Sequence, residues 1–72
     1  MKTIIKSVRM LAHIRGIKVY PNESGFSADK INSVTNLVHF RNDLEAYMDK
    51  QNIKYNMVTS YNPYRLEVEF FN

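Results

Sequence analysis

Apolar and polar positions follow two different periods along this chain. At the C-terminal end, Tyr64, Leu66, Val68 and Phe70 alternate with Arg65, Glu67, Glu69 and Phe71. Just before them, Tyr55, Met57, Thr59 and Tyr61 alternate with Asn56, Val58 and Ser60. Period-two runs of this kind predict strands with one face on a core and the other in water. The two residues between them, Asn62 and Pro63, predict a tight turn, so 55–61 and 64–71 read as a terminal hairpin.

The N-terminal end has the helical period instead. At 100° per residue, Ile4, Val8, Leu11 and Ala12 fall on one side of a helix over 3–15, with Ile5 and Ile14 flanking them. Gly16 can take the left-handed conformation that stops a helix, and Ile17 follows where an apolar residue folds back on the last turn. Residues 17–20 then alternate as a short strand, and Pro21 to Gly25 form the densest turn cluster in the chain. A second helix is expected over 43–51, capped by Asn42 with Glu45 three residues on. Its apolar face is Leu44, Tyr47 and Met48, and Asn52 followed by Ile53 repeats the ending of the first helix.

The middle of the chain is harder to read. Residues 34–40 alternate as a strand, with Val34, Asn36, Val38 and Phe40 on one face and Thr35, Leu37 and His39 on the other. Residues 26–33 fit either a short helix capped by Ser27 and carrying Ala28 and Ile31, or an ordered loop. The expected fold class is α+β. Two helices pack on one face of a small, mainly antiparallel sheet of three or four strands, in the order α-β-β-α-β-β. The segments LAHIRGIKVYPN and AYMDKQNIKYNM share a helix end, an Ile-Lys step and a strand. Common capping chemistry explains this better than duplication does.

Composition narrows the class. The chain has 72 residues and no cysteine, which makes one small domain over 1–72 with no disulfide and no thiolate. Nine aromatics argue against disorder. No apolar run approaches the roughly 18 residues needed for a membrane span, and no apolar segment marks a secretory signal. The expected location is therefore cytoplasmic. Asn, Ile, Lys and Tyr supply a third of the residues, all with AT-rich codons. That bias matches small accessory proteins of phages and other mobile elements, which would place the chain in a host cytoplasm.

Charge adds the main functional clue. The first 22 residues hold Lys2, Lys6, Arg9, Arg15 and Lys18 and no acid, while the rest carry seven acids against five bases. A concentrated positive patch attracts polyanions, whereas an evenly spread charge of the same size does so weakly. Lys2, Lys6, Arg9 and His13 fall within about 60° of one another on the helix opposite its apolar side. A helix face whose only role is solvation usually mixes signs, because like charges four residues apart repel. This stripe, extended by Arg15 and Lys18, is therefore the candidate surface for an acidic protein partner or for phosphates. Tyr20 and Phe71 are the candidate aromatic anchors. Lying on an anionic membrane is a weaker fit, because the apolar side lacks Trp and Phe.

Catalysis and metal binding find less support. His13 and His39 form no ligand spacing, and two histidines without cysteine fall short of a zinc set. Glu67 and Glu69 share a strand face beside Arg65, which suits a soluble strand better than acid–base work. A metal-independent ribonuclease would need groups such as His13, His39, Arg9, Arg41, Tyr55 and Glu67 to converge. No spacing singles out such a set, and no phosphate loop or nucleophile elbow is present. The expectation is a non-enzymatic protein without cofactor or metal that binds and modulates a host protein with an acidic surface. Direct nucleic-acid binding and a small ribonuclease are the alternatives. A free strand edge adds two further expectations, β-augmentation by a partner and self-association as a homodimer.

Overall fold

The computed structural model describes residues 2–71, with the side chain of Lys2 outside the described set. The elements are α1 (Lys2–His13), β1 (Lys18–Pro21), β2 (Gly25–Asp29), α2 (Val34–Lys50), β3 (Lys54–Tyr61) and β4 (Tyr64–Phe71). The four strands form one antiparallel sheet in the order β1-β2-β4-β3. Both helices pack on one face of it. The α+β class and the α-β-β-α-β-β order are as the sequence predicts.

The second strand, however, is not where the alternation at 34–40 put it. Those residues are the first two turns of α2. Ser33, extended at φ −159°, accepts a hydrogen bond from the Asn36 N–H at 3.1 Å and so caps the helix. From there Leu37, Phe40, Leu44 and Met48 recur at three- and four-residue intervals, and all four are fully buried. One helix of 17 residues thus replaces the expected strand and shorter helix, and Asn42 lies inside it rather than at its start.

The strand itself is β2, in the stretch that fitted either a short helix or a loop. Ser27 caps nothing; it sits mid-strand and is buried. Phe26 and Ala28 face the core opposite Val68 and Leu66 of β4. The turn that delivers the chain to β2 is built by Asn22. Its side-chain oxygen accepts from the N–H groups of Ser24 and Gly25 at 2.9 and 2.8 Å, and its own N–H donates to the Gly25 carbonyl at 3.0 Å. Gly25 is required there, because an added Cβ would collide with the Val68 carbonyl oxygen and lie 3.2 Å from the Glu69 Cα.

The two helix endings are copies of one motif. Gly16 at φ 69° and Asn52 at φ 58° take the left-handed position. Ile17 donates back to the Ala12 carbonyl at 3.0 Å, and Ile53 to the Met48 carbonyl at 2.9 Å. The resemblance between the two segments is therefore accounted for by capping. Arg15 also ties the two helices together, its guanidinium meeting the Asp43 carboxylate at 2.6 Å.

The core is one layer between helices and sheet: Val8 and Ala12 from α1, the buried stripe of α2, and Val19, Phe26, Ala28, Leu66, Val68 and Phe70 from the strands. Phe26 and Phe70 pack ring to ring at 5.9 Å between centroids. Burial falls away at β3, where Tyr55, Met57 and Thr59 are only half-buried and Tyr61 is exposed.

In α2, Leu37 and Phe40 share a buried face that strand alternation would have divided. Truncating either to Ala should cost about 2–5 kcal/mol in urea denaturation, the range for buried large-to-small changes. Gly25→Ala should cost at least about 2 kcal/mol, because the colliding atoms are backbone and cannot swing aside.

Candidate functional site

The residues singled out from the sequence are distributed over three places. Lys6, Arg9 and His13 project from the outer face of α1 and are exposed. They stand together because positions three and four apart share a helix face. Among the described residues none of the three has a carboxylate within ion-pair distance. Lys2 belongs to the same stripe by position, but its side chain lies outside the described residues. Arg15 leaves the patch, since its charge is taken up by Asp43 on α2. Lys18 stays at its margin, lining with Lys6, Arg9 and His13 the space between α1 and β1. Strand alternation turns Lys18 toward the uncovered face of the sheet, where its ammonium lies 5.5 Å from the centre of the Tyr20 ring.

Beside the three cations runs an open trough of about 1060 Å³ between α1 and β1. Its walls include Ile5, Arg9, His13 and Met10 from the helix and Val19 and Pro21 from the strand, and no acidic residue lines it. A second groove, of about 450 Å³, lies between α1 and α2 over Leu11, Ala46 and Tyr47. Met10 and Ile14 line both grooves and form the ridge between them. Met10 is 63% exposed and Ile14 78% exposed, the most of any large apolar side chain among the described residues. The sequence reading placed Ile14 beside the core and assigned Met10 no role. Ile14 follows Met10 by one helical turn, its N–H donating to the Met10 carbonyl at 3.4 Å, so the two share a side of α1 turned away from buried Val8 and Ala12. The signal was present in the four-residue spacing of Met10 and Ile14 along the margin of the basic stripe.

The expected anchors Tyr20 and Phe71 are not part of this surface. Both project from the uncovered sheet face, on the far side of the sheet from the helices. That face mixes signs. Arg65 reaches the Ser27 hydroxyl at 3.4 Å and lies 3.6 Å from the Glu67 carboxylate. The Asp29 carboxylate faces the Tyr20 hydroxyl and helps to raise its pKa. The β1 edge is also a poor template for a partner strand. The Asn22–Gly25 hydrogen bond sets the alternation, so Lys18 and Tyr20 pair with β2 while Val19 and Pro21 face outward. Proline has no N–H, and the Ile17 N–H is spent on the α1 ending, which leaves Val19 as the outward donor of this strand.

The candidate ribonuclease groups do not converge. Glu67 points from the uncovered sheet face, whereas Arg9 and His13 stand on α1 and Tyr55 projects under α2. Among the described residues no group of three or more His, Cys, Asp or Glu is placed to hold a metal. No described helix is long and apolar enough to cross a membrane. Comparison with known proteins adds no relative: no family model matches the chain, and no curated protein or solved structure matches it.

Two tyrosines titrate above their ordinary value of 10.0. For Tyr55 the cause is first partial burial, then the nearby carboxylates of Glu45 and Asp49; for Tyr20 it is partial burial, then the nearby Asp29 carboxylate. The folded state thus holds these protons more tightly than an unfolded chain does. Their contribution to stability is present below pH 10.0 and is lost as pH rises through the raised values. Denaturation followed across that range should show stability falling above pH 10.0, with a smaller fall in Tyr55→Phe.

Proposed function

We propose that the protein is a non-enzymatic binding domain that docks onto an acidic protein partner through the outer face of α1. The supporting observation is the junction of two chemistries on one surface. Unpaired Lys6, Arg9 and His13 adjoin the exposed ridge of Met10 and Ile14, and a groove runs along each side of that ridge. A phosphate backbone needs the cations and gains nothing from the Met and Ile. A protein interface uses both, with apolar anchors that seat in the partner and charges that steer approach. The compositional bias shared with phage and mobile-element accessory proteins makes a host protein the natural partner, and its modulation the natural consequence of occupancy.

The test is capture from nuclease-treated bacterial lysate by tagged protein at two salt concentrations. The reading expects a dominant protein that survives nuclease treatment. Lys6→Glu/Arg9→Glu should reduce its recovery, and Met10→Ala/Ile14→Ala, at exposed sites that the fold does not need, should weaken affinity at least about tenfold, or about 1.4 kcal/mol. Loss of all captured material on nuclease treatment, with the Met10/Ile14 variant unaffected, would move the site to nucleic acid.

A further inference from the structure

We propose that the protein associates with a second copy of itself by pairing β3 to β3 across a two-fold axis at Val58, which joins two sheets into one of eight strands. The contrast between the two sheet edges leads there. β1 is four residues long, carries Pro21 and offers one outward N–H. β3 is eight residues long, contains no proline and has one charged residue, Lys54, at its end. A long, flat edge with unpaired N–H and C=O groups is a template for another strand, and proteins that keep an edge free usually blunt it. This chain blunts one edge and leaves the other.

The side chains around β3 are incompletely covered to match. On the core face, Tyr55, Met57 and Thr59 are half-buried and Tyr61 is 59% exposed, whereas Phe26 and Ala28 of β2 and Leu66, Val68 and Phe70 of β4 are buried. On the opposite face Val58 is 54% exposed. Val34 and Val38 share the flank of α2 that also carries Arg41 and Glu45. Arg41 and Glu45 influence the Tyr55 hydroxyl, which puts that end of the flank near the start of β3. Val34 and Val38, further along the same flank, are about half exposed. The unpaired strand therefore exposes apolar surface of its own on both faces, at Tyr61 and at Val58.

The strand's own sequence selects the occupant. Residues opposite each other in an antiparallel pair share a sheet face, so a two-fold axis must pass through a residue. An axis at Val58 sets Val58 against its copy, Met57 against Thr59, Tyr55 against Tyr61 and Asn56 against Ser60. Apolar meets apolar, aromatic meets aromatic, polar amide meets hydroxyl, and no like charges face each other. An axis at Met57 would set Asn56 against Val58 and leave Tyr61 without a partner. The interface is isologous and closed, which makes a dimer rather than a fibre. It lies on the far edge of the sheet from α1, so this proposal and the α1 docking surface stand or fall separately.

Sedimentation equilibrium and a cysteine pair test it. Wild type should show a concentration-dependent mass rising from the 8.5 kDa chain toward twice that value. Val58→Lys, which places two like charges on the axis at an exposed site, should raise the dimer dissociation constant at least about tenfold with an unchanged circular dichroism spectrum. In this cysteine-free chain, Val58→Cys should form a symmetric disulfide on mild oxidation. Ser60→Cys should not, because the two copies would stand about 14 Å apart along the strands. A monomer at every concentration, a dimer that ignores Val58→Lys, or equal cross-linking from positions 58 and 60 would overturn the proposal.

Discussion

The structure depends on one asymmetry: the sheet has helices on one face only. Both α1 and α2 lie on that face, and the layer they close over Phe26, Phe40, Leu44 and Leu66 is the only sizeable core formed by the described residues. A chain this short buries only about 60% of its unfolded surface, and there is no disulfide to make up the difference. Every other surface follows from that constraint. The uncovered sheet face is kept in water by Arg65, Glu67 and Glu69. α1, at the β1 side, must cover the core with Val8 and Ala12 while its outer face stays free. The helix layer is too narrow to cover the outer strand β3, whose apolar residues remain half in solvent.

The parts of this fold that the sequence made legible are those decided locally. The terminal hairpin shows in strict alternation over many residues, and the two helix endings show in Gly16-Ile17 and Asn52-Ile53. The errors came where a distant partner decides. The run Val34, Thr35, Val38 is rich in β-branched residues and alternates well within a seven-residue window. Only a window reaching Met48 reveals that Leu37, Phe40, Leu44 and Met48 keep helical spacing, and Asn42 offered a competing cap that hid Ser33. The β2 stretch, Gly-Phe-Ser-Ala-Asp, has little intrinsic strand preference. It is a strand because β1 and β4 hold it on both sides, and those pairings have no local trace.

The surface chemistry divides in the same way. The charge imbalance of the first 22 residues and the stripe at Lys6, Arg9 and His13 were readable, because helical spacing fixes which side chains share a face. The fate of Arg15 was not, since its partner Asp43 is 28 residues away. Nor was the separation of Tyr20 and Phe71 from the stripe, which depends on which sheet face the helices cover. The exposed ridge of Met10 and Ile14 was written in the same helical spacing, one turn apart beside the stripe. Its value lies in supplying the apolar contact that a purely cationic stripe lacks.

The docking role of α1 carries the functional account, and the most direct measurement is a map of where the partner touches. Isotope-labelled protein titrated with its captured partner would report amide shift changes residue by residue. The account predicts the largest changes from Lys6 to Ile14, extending to Val19 and Asn22 across the trough, with Glu67 and Phe71 unmoved. Changes confined to the uncovered sheet face, with α1 silent, would contradict it.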